Sequence, residues 1–207
     1  MFYIIRTPGW VKKIFSTSIW QIAEPQKSIY LTFDDGPHPV ITPFVLDELR
    51  KYNARATFFC IGKNVVDNPL IFNRILNENH AVGNHTHDHL NGWKTPNRKY
   101  LQNITEASRH IDSNLFRPPY GRITSRQHKQ LRSLDKPFKI VMWSVLSGDF
   151  DVNITPERCC KNVLKNAETG SVIVFHDSEK AYERLRYALP VVLEYFTEKG
   201  YRFEKIV

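Results

Sequence analysis

The chain is poor in cysteine and has no long apolar run, and both shortages narrow what it can be. Its three cysteines, Cys60, Cys159 and Cys160, are odd in number and two are adjacent, so they make no disulfide framework. They lack the Cys-x-x-Cys spacing of a structural zinc site and fit a reducing compartment. No apolar stretch approaches the ~20 residues that a membrane-spanning helix needs. The apolar Phe2–Ile5 stretch stops at Arg6, too soon for a secretion signal, and no small-residue cleavage site follows. On sequence alone the protein is therefore expected in the cytoplasm. Internal repeats, low-complexity segments and long linkers are also missing, which excludes solenoids and tethered multidomain chains.

What is present is enough for one core. The 207 residues are 42% apolar and 24% charged, proportions of a single folded domain. The net charge is +8. The Lys and Arg residues read as scattered, with no nucleic-acid-binding motif beside them, so the charge is expected to be a solvated surface and not a nucleic-acid site.

Residues 1–27 read as an irregular N-terminal extension with a short helix around Trp10–Ser16. From Ser28 on, strand-like and helix-like runs alternate. Strands are expected at 28–34, 54–61, 81–84, 115–117, 138–145, 171–176 and 201–206. Helices are expected from Thr42-Pro43, over 67–78, from Thr95-Pro96, over 125–134, from Thr155-Pro156, and over 182–199 with a kink or restart at Pro190. Gly200 reads as the residue that ends the last helix. About seven β-then-α units imply parallel strands with helices outside. Polar motifs follow several different strands. In an open sheet such loops converge only at a switch point, whereas in a closed barrel they all ring one mouth, so a barrel over residues 28–207 is the expectation.

Five of those motifs carry chemistry. Asp34-Asp35 ends the first strand in an Asp-Gly turn; alone that is ordinary, but two carboxylates there can split into a metal ligand and a free base. His85 and His89 stand four apart and face the same way if the segment makes a helical turn. Two imidazoles and a carboxylate form a common catalytic zinc set that leaves a position for water. His87, between them, should point elsewhere, and Thr86 could brace the site. Arg117 could orient a carboxylate, and the Tyr120 N–H, beyond two stiffening prolines, could face a developing oxyanion. His176 ends an apolar strand and, partnered by Asp149 from the loop after Trp143, is a candidate general acid.

In order and spacing these motifs resemble the polysaccharide deacetylase family, the NodB homology domain of carbohydrate esterase family 4, over roughly residues 28–206. Thr32-Phe33-Asp34-Asp35-Gly36, His85-Thr86-x-x-His89, Arg117-Pro118-Pro119-Tyr120 and His176-Asp177 match intact. The resemblance implies a single-domain, distorted (β/α)7 TIM-like barrel that hydrolyses N-acetyl, or O-acetyl, groups of a polysaccharide or oligosaccharide, with N-acetylglucosamine units the expected substrate. It implies a divalent metal on Asp35, His85 and His89, zinc before Co2+, Ni2+ or Fe2+. It makes Asp34 the general base, oriented by Arg117, and His176 the general acid, tuned by Asp149. The fourth motif departs: Leu146 stands where the family has Asp, and Phe150 where it has Trp. Those departures keep a second reading open, an amidohydrolase acting on a small non-sugar amide or cyclic imide. A non-catalytic sugar-binding relative is a third. Family members are often secreted or envelope-associated, in contrast to the cytoplasmic expectation.

Overall fold

The structure, a computed structural model, describes residues 3–23 and 25–207. Met1, Phe2 and Glu24 lie outside the described residues, and with them the first residue of the Phe2–Ile5 stretch. The strands are β1 (Ser28–Asp34), β2 (Ala56–Cys60), β3 (Ala81–Asn84), β4 (Leu115–Phe116), β5 (Lys139–Ile140), β6 (Val145–Leu146), β7 (Val172–His176) and β8 (Arg202–Phe203). All named ladders are parallel, in the order β5-β4-β3-β2-β1-β7-β6, with β8 beside the start of β1. The helices are α1 (Gly9–Ile14), α2 (Ile41–Lys51), α3 (Gly62–Asp67), α4 (Pro69–Asn77), α5 (Asn97–Ser108), α6 (Ser125–Arg132), α7 (Pro156–Asn166) and α8 (Glu179–Glu198).

β1 sits at the centre, and all seven of its residues are buried. Ile29, Leu31 and Phe33 enter the main core with Val45, Leu46, Phe58, Phe175 and Leu189. Burying each such side chain contributes roughly 1.5–3 kcal/mol. A strand buried on both faces needs helices on one side and packed side chains within, which is the layering of a barrel.

The single strand expected over 138–145 proves to be two short ladders. Val141 still donates to Phe116 on one side, whereas Ser144 donates to Val172 on the other. One extended segment thus leaves β4 and joins β7, closing the curled sheet through the covalent chain instead of through a full ladder. The N-terminal segment fills the seam. Ile19 bridges Val141, Arg6 bridges Val145, and Leu146 donates to the Ile5 carbonyl.

Other boundaries differ for local reasons. The helix expected over 67–78 is α4, which starts at Pro69; the unexpected α3 precedes it, and the two part at Asn68 (φ −131°), because Pro69 disfavours helical geometry in the residue before it. Thr42 is no N-cap: α2 begins at Ile41, and the Thr42 hydroxyl accepts from His38 N–H and donates to Asp177. Thr95 does not cap α5 either; its hydroxyl donates to the Asn91 carbonyl and Pro96 precedes the helix. Thr155 does cap α7, and Thr124 makes a reciprocal capping box with Gln127 on α6. α8 starts earlier than expected and runs unbroken through Pro190; the carbonyl deprived of its partner belongs to exposed Arg186. Gly200, at φ +73°, ends it as expected. The final strand is only Arg202–Phe203.

Candidate active site

All five motifs meet at the C-terminal mouth of the barrel, because each follows a strand of one parallel sheet. Adjacent registers bring two of them side by side: Asp34 is level with His176 across β1 and β7. The chain then turns sharply. Asp35 adopts φ 83°, a left-handed conformation unusual for a residue with a Cβ, and its carboxylate swings away from that of Asp34.

Asp34 and Arg117 form a buried pair. Arg117 is fully enclosed and its guanidinium is spent on four acceptors. Nη1 donates to Asp34 Oδ1 and to Thr32 Oγ1, each at 2.7 Å, Nε to the Val141 carbonyl at 3.1 Å, and Nη2 to the Met142 carbonyl at 3.0 Å. Its flat face lies 4.1 Å over the Phe59 ring. Burial pulls the guanidinium pKa down and Asp34 pushes it back up. Asp34 Oδ2 has no hydrogen-bond partner among the described residues and is the oxygen left for a proton.

His85 and His89 converge, but not through a helical turn. The 85–90 loop is irregular, with Thr86 (φ 64°) and His89 (φ 55°) both left-handed, and the two rings lie 5.1 Å apart. Thr86 braces the loop: its N–H donates to Asn84 Oδ1 and its hydroxyl accepts from Leu90 N–H. His87 turns away toward His110. His85 Nδ1 lies 2.7 Å from the Arg117 carbonyl, which can only accept, so Nδ1 carries the proton and Nε2 keeps its lone pair. Burial pushes His85 down to about 4, so it stays neutral.

Asp35 Oδ1 lies 3.2 Å from His89 Nε2 and 3.8 Å from His85 Nε2. That oxygen is buried, with no aligned hydrogen-bond donor among the described residues. An orphaned carboxylate oxygen and two imidazole nitrogens within 4.8 Å of one another suit a divalent cation. Burial works against the Asp35 charge, but the nearby His89, His176 and His85 hold it well below the usual carboxylate range.

His176 is held through its ring and its backbone by one carboxylate. Nδ1–H donates to Asp149 Oδ1 at 2.8 Å and the backbone N–H to Asp149 Oδ2 at 2.6 Å. Burial disfavours the cation, yet the Asp149 charge and hydrogen bond lift His176 to about 10, so the ring is protonated at neutral pH. Phe150 packs edge-on to His176 at 5.3 Å, and Leu146 is buried beside the mouth. The Tyr120 ring lies 4.6 Å from His89; its backbone is left-handed (φ 61°), and its N–H has no acceptor among the described residues.

The sequence assigns no role to several residues that support the site. Asp177 is buried and faces away from His176; it accepts from Gly36 N–H at 3.0 Å and from Thr42, and burial raises it to about 7. Asn64 Nδ2 donates to the Asp35 carbonyl at 2.7 Å, and Arg184 Nε to the Asp149 carbonyl at 2.6 Å. Thr32 and Asp177 stand inside motifs, and Thr32 shares a strand face with Asp34 two residues on. The others act across the fold, where spacing carries no information.

A barrel with a carboxylate–arginine pair, a carboxylate–histidine pair and an open cation-type triad at one mouth is the framework of a hydrolase. Residues 21–138 match the polysaccharide deacetylase family. A peptidoglycan-N-acetylglucosamine deacetylase of Bacillus cereus is 35% identical over 190 residues, which cover 89% of this chain and 88% of that protein. A chitooligosaccharide deacetylase of Azorhizobium caulinodans is 35% identical, over 76% of this chain and 77% of that one. The crystal structure of the Bc1960 peptidoglycan N-acetylglucosamine deacetylase, in complex with 4-naphthalen-1-yl-N-oxidanyl-benzamide, superposes with a TM-score of 0.85 at 34% identity. It covers 97% of this chain and 95% of that one. The chain belongs to the polysaccharide deacetylase family, whose (β/α)7 fold it has, and is a hydrolase of carbon–nitrogen bonds other than peptide bonds. Among the described residues no helix is long and apolar enough to cross a membrane.

Proposed function

We propose that this protein removes N-acetyl groups from an N-acetylglucosamine-containing glycan, with Asp34 as base, His176 as acid and a divalent cation on Asp35, His85 and His89. The observation that carries this reading is the division of labour between two adjacent carboxylates. Arg117 holds one Asp34 oxygen and leaves the other for a proton, whereas Asp35 turns an unpartnered oxygen toward two imidazoles.

A cation held by that triad would polarise the acyl oxygen and acidify a bound water, as zinc does with such donors. The protein supplies the remaining chemistry. Asp34 Oδ2 takes a proton from the attacking water. Arg117 keeps that carboxylate in place. The Tyr120 N–H donates to the oxyanion of the tetrahedral intermediate; one such donor contributes ~3 kcal/mol in comparable sites. His176 Nε2 then hands a proton to the departing amine as the carbon–nitrogen bond breaks, while Asp149 stabilises the imidazolium. Acetate and a free amino sugar leave. A complete base and acid argue against a non-catalytic relative.

The names of the relatives support an N-acetylglucosamine unit as substrate. The substrate of those peptidoglycan deacetylases also supports action at the cell envelope over a purely cytoplasmic role. Acetate release measured from N-acetylglucosamine oligomers against a panel of non-sugar amides and cyclic imides tests the assignment. Turnover of the oligomers is expected; turnover confined to the non-sugar panel would move the enzyme to the amidohydrolase reading that Leu146 and Phe150 keep open.

A further inference from the structure

The Lys and Arg residues are spread along the chain, but the acidic residues that would balance them are not. Residues 3–23 and 89–134 hold twelve Lys and Arg against two acidic residues, leaving seventeen basic and nineteen acidic residues for the rest. The whole net positive charge therefore lies on two stretches, and the fold brings them together: Ser18 Oγ lies 3.0 Å from His128 Nε2 of α6. On α6, Arg126, Lys129 and Arg132 are exposed and, among the described residues, have no acidic partner.

An apolar face accompanies that charge. α1 has Trp10 and Ile14 one turn apart, 64% and 65% exposed, with Phe15 following at 50%. At ~100° per residue, Trp10, Ile14, Val11 and Phe15 occupy one half of this short helix and Lys12 and Lys13 the other. Val11 and Phe15 continue into a groove of about 350 Å³ that also touches Trp93 and Tyr120, so the patch borders the catalytic mouth. Trp93 is 63% exposed at its edge.

We propose that α1 and the basic ground beside it form a docking surface for an anionic lipid bilayer, holding the active-site mouth close to the membrane surface. Two points favour a lipid over an acidic polymer. Isoleucine and an aromatic pair left in water cost free energy that acyl chains recover and a hydroxyl-rich glycan does not. Amphipathic helices that lie in the bilayer interface place Trp and Phe on one side and Lys on the other, with the cations facing lipid phosphates. The surface lies outside the catalytic residues, so the proposal does not depend on the substrate assignment.

The test is co-sedimentation of the whole protein with phosphatidylcholine vesicles and with vesicles that also contain phosphatidylglycerol, alongside acetate release from soluble N-acetylglucosamine oligomers. Binding is expected to the anionic vesicles, weakening as salt rises. The Lys12→Gln, Lys13→Gln double variant should bind about thirtyfold more weakly. The Trp10→Ser, Ile14→Ser variant should lose at least about tenfold. Both should keep their activity on soluble oligomers, which shows that the barrel and its site are intact. Equal vesicle binding by the variants would overturn the proposal. So would no vesicle binding by the parent protein, with or without affinity for an acidic polysaccharide.

Discussion

The two mouths of the barrel differ in a way that separates shape from chemistry. The larger cavity, about 870 Å³, is at the mouth opposite the motifs, lined by residues such as His80, Ser108, Asp112, Asn114, Phe138 and Lys205. It has the volume of a ligand site but no converging unsatisfied groups. The motif mouth has the reverse. Of the six non-glycine residues with left-handed backbones among the described residues, four are there, Asp35, Thr86, His89 and Tyr120, while the other two are Asn53 and Asn79 at helix ends. Asparagine accepts that conformation readily; threonine, histidine and tyrosine do so at a cost of order 1 kcal/mol each. The strain lies at the mouth where a carboxylate oxygen has no donor and an amide has no acceptor. The residues proposed as ligands and donor share that mouth and none of them lines the wider cavity.

If that contrast is right, the largest loss should come from Arg117→Ala. It leaves the buried Asp34 carboxyl without its partner and strips two carbonyls and Thr32 of their donor. A drop of about 3–5 kcal/mol in unfolding free energy, read by denaturant titration, is expected. A variant as stable as the parent would mean that the pair is not holding the mouth together.

Next comes Asp149→Asn. Asp149 raises His176 above its ordinary value, and the donating form is the cation, so activity is lost as pH rises through the His176 pKa. Removing the carboxylate charge lowers that pKa and should move the alkaline limb of the rate profile down by about 1–3 pH units. Imidazole NMR titration of His176 in metal-free protein would follow the same change directly. An unmoved limb would detach His176 from the proton transfer.

The smallest effect is expected at the other mouth. Asp112 is exposed on the rim of the large cavity, and Asp112→Asn should change stability by no more than about 0.5 kcal/mol and leave acetate release unchanged. A loss of activity there would give the larger cavity a role that its chemistry does not suggest.

Legibility in the sequence followed the same divide. β1 was readable to the residue because a run of β-branched and aromatic residues, bounded by polar ones, has few other uses. Motif residues at strand ends were readable because a parallel sheet collects them at one mouth. What could not be read was anything set by the pairing of distant segments. The 138–145 segment has one extended pattern and two partners. His85 and His89 have helical spacing but are joined by a left-handed loop. Thr42 looks like a cap, yet its hydroxyl is claimed by Asp177, far off in sequence. The barrel seam, filled by Ile5, Arg6 and Ile19, left no trace in local composition.

The central claim is that Asp34 and Asp35, neighbours of the same type, do different work because Asp35 is turned over by its backbone. The most direct measurement is bound metal and acetate release for Asp34→Asn and Asp35→Asn, assayed side by side. Asp34→Asn should keep its metal while acetate release falls about 10²–10⁴-fold, and Asp35→Asn should lose the metal itself. Loss of metal from Asp34→Asn, or metal held equally by both variants, would contradict the division of roles.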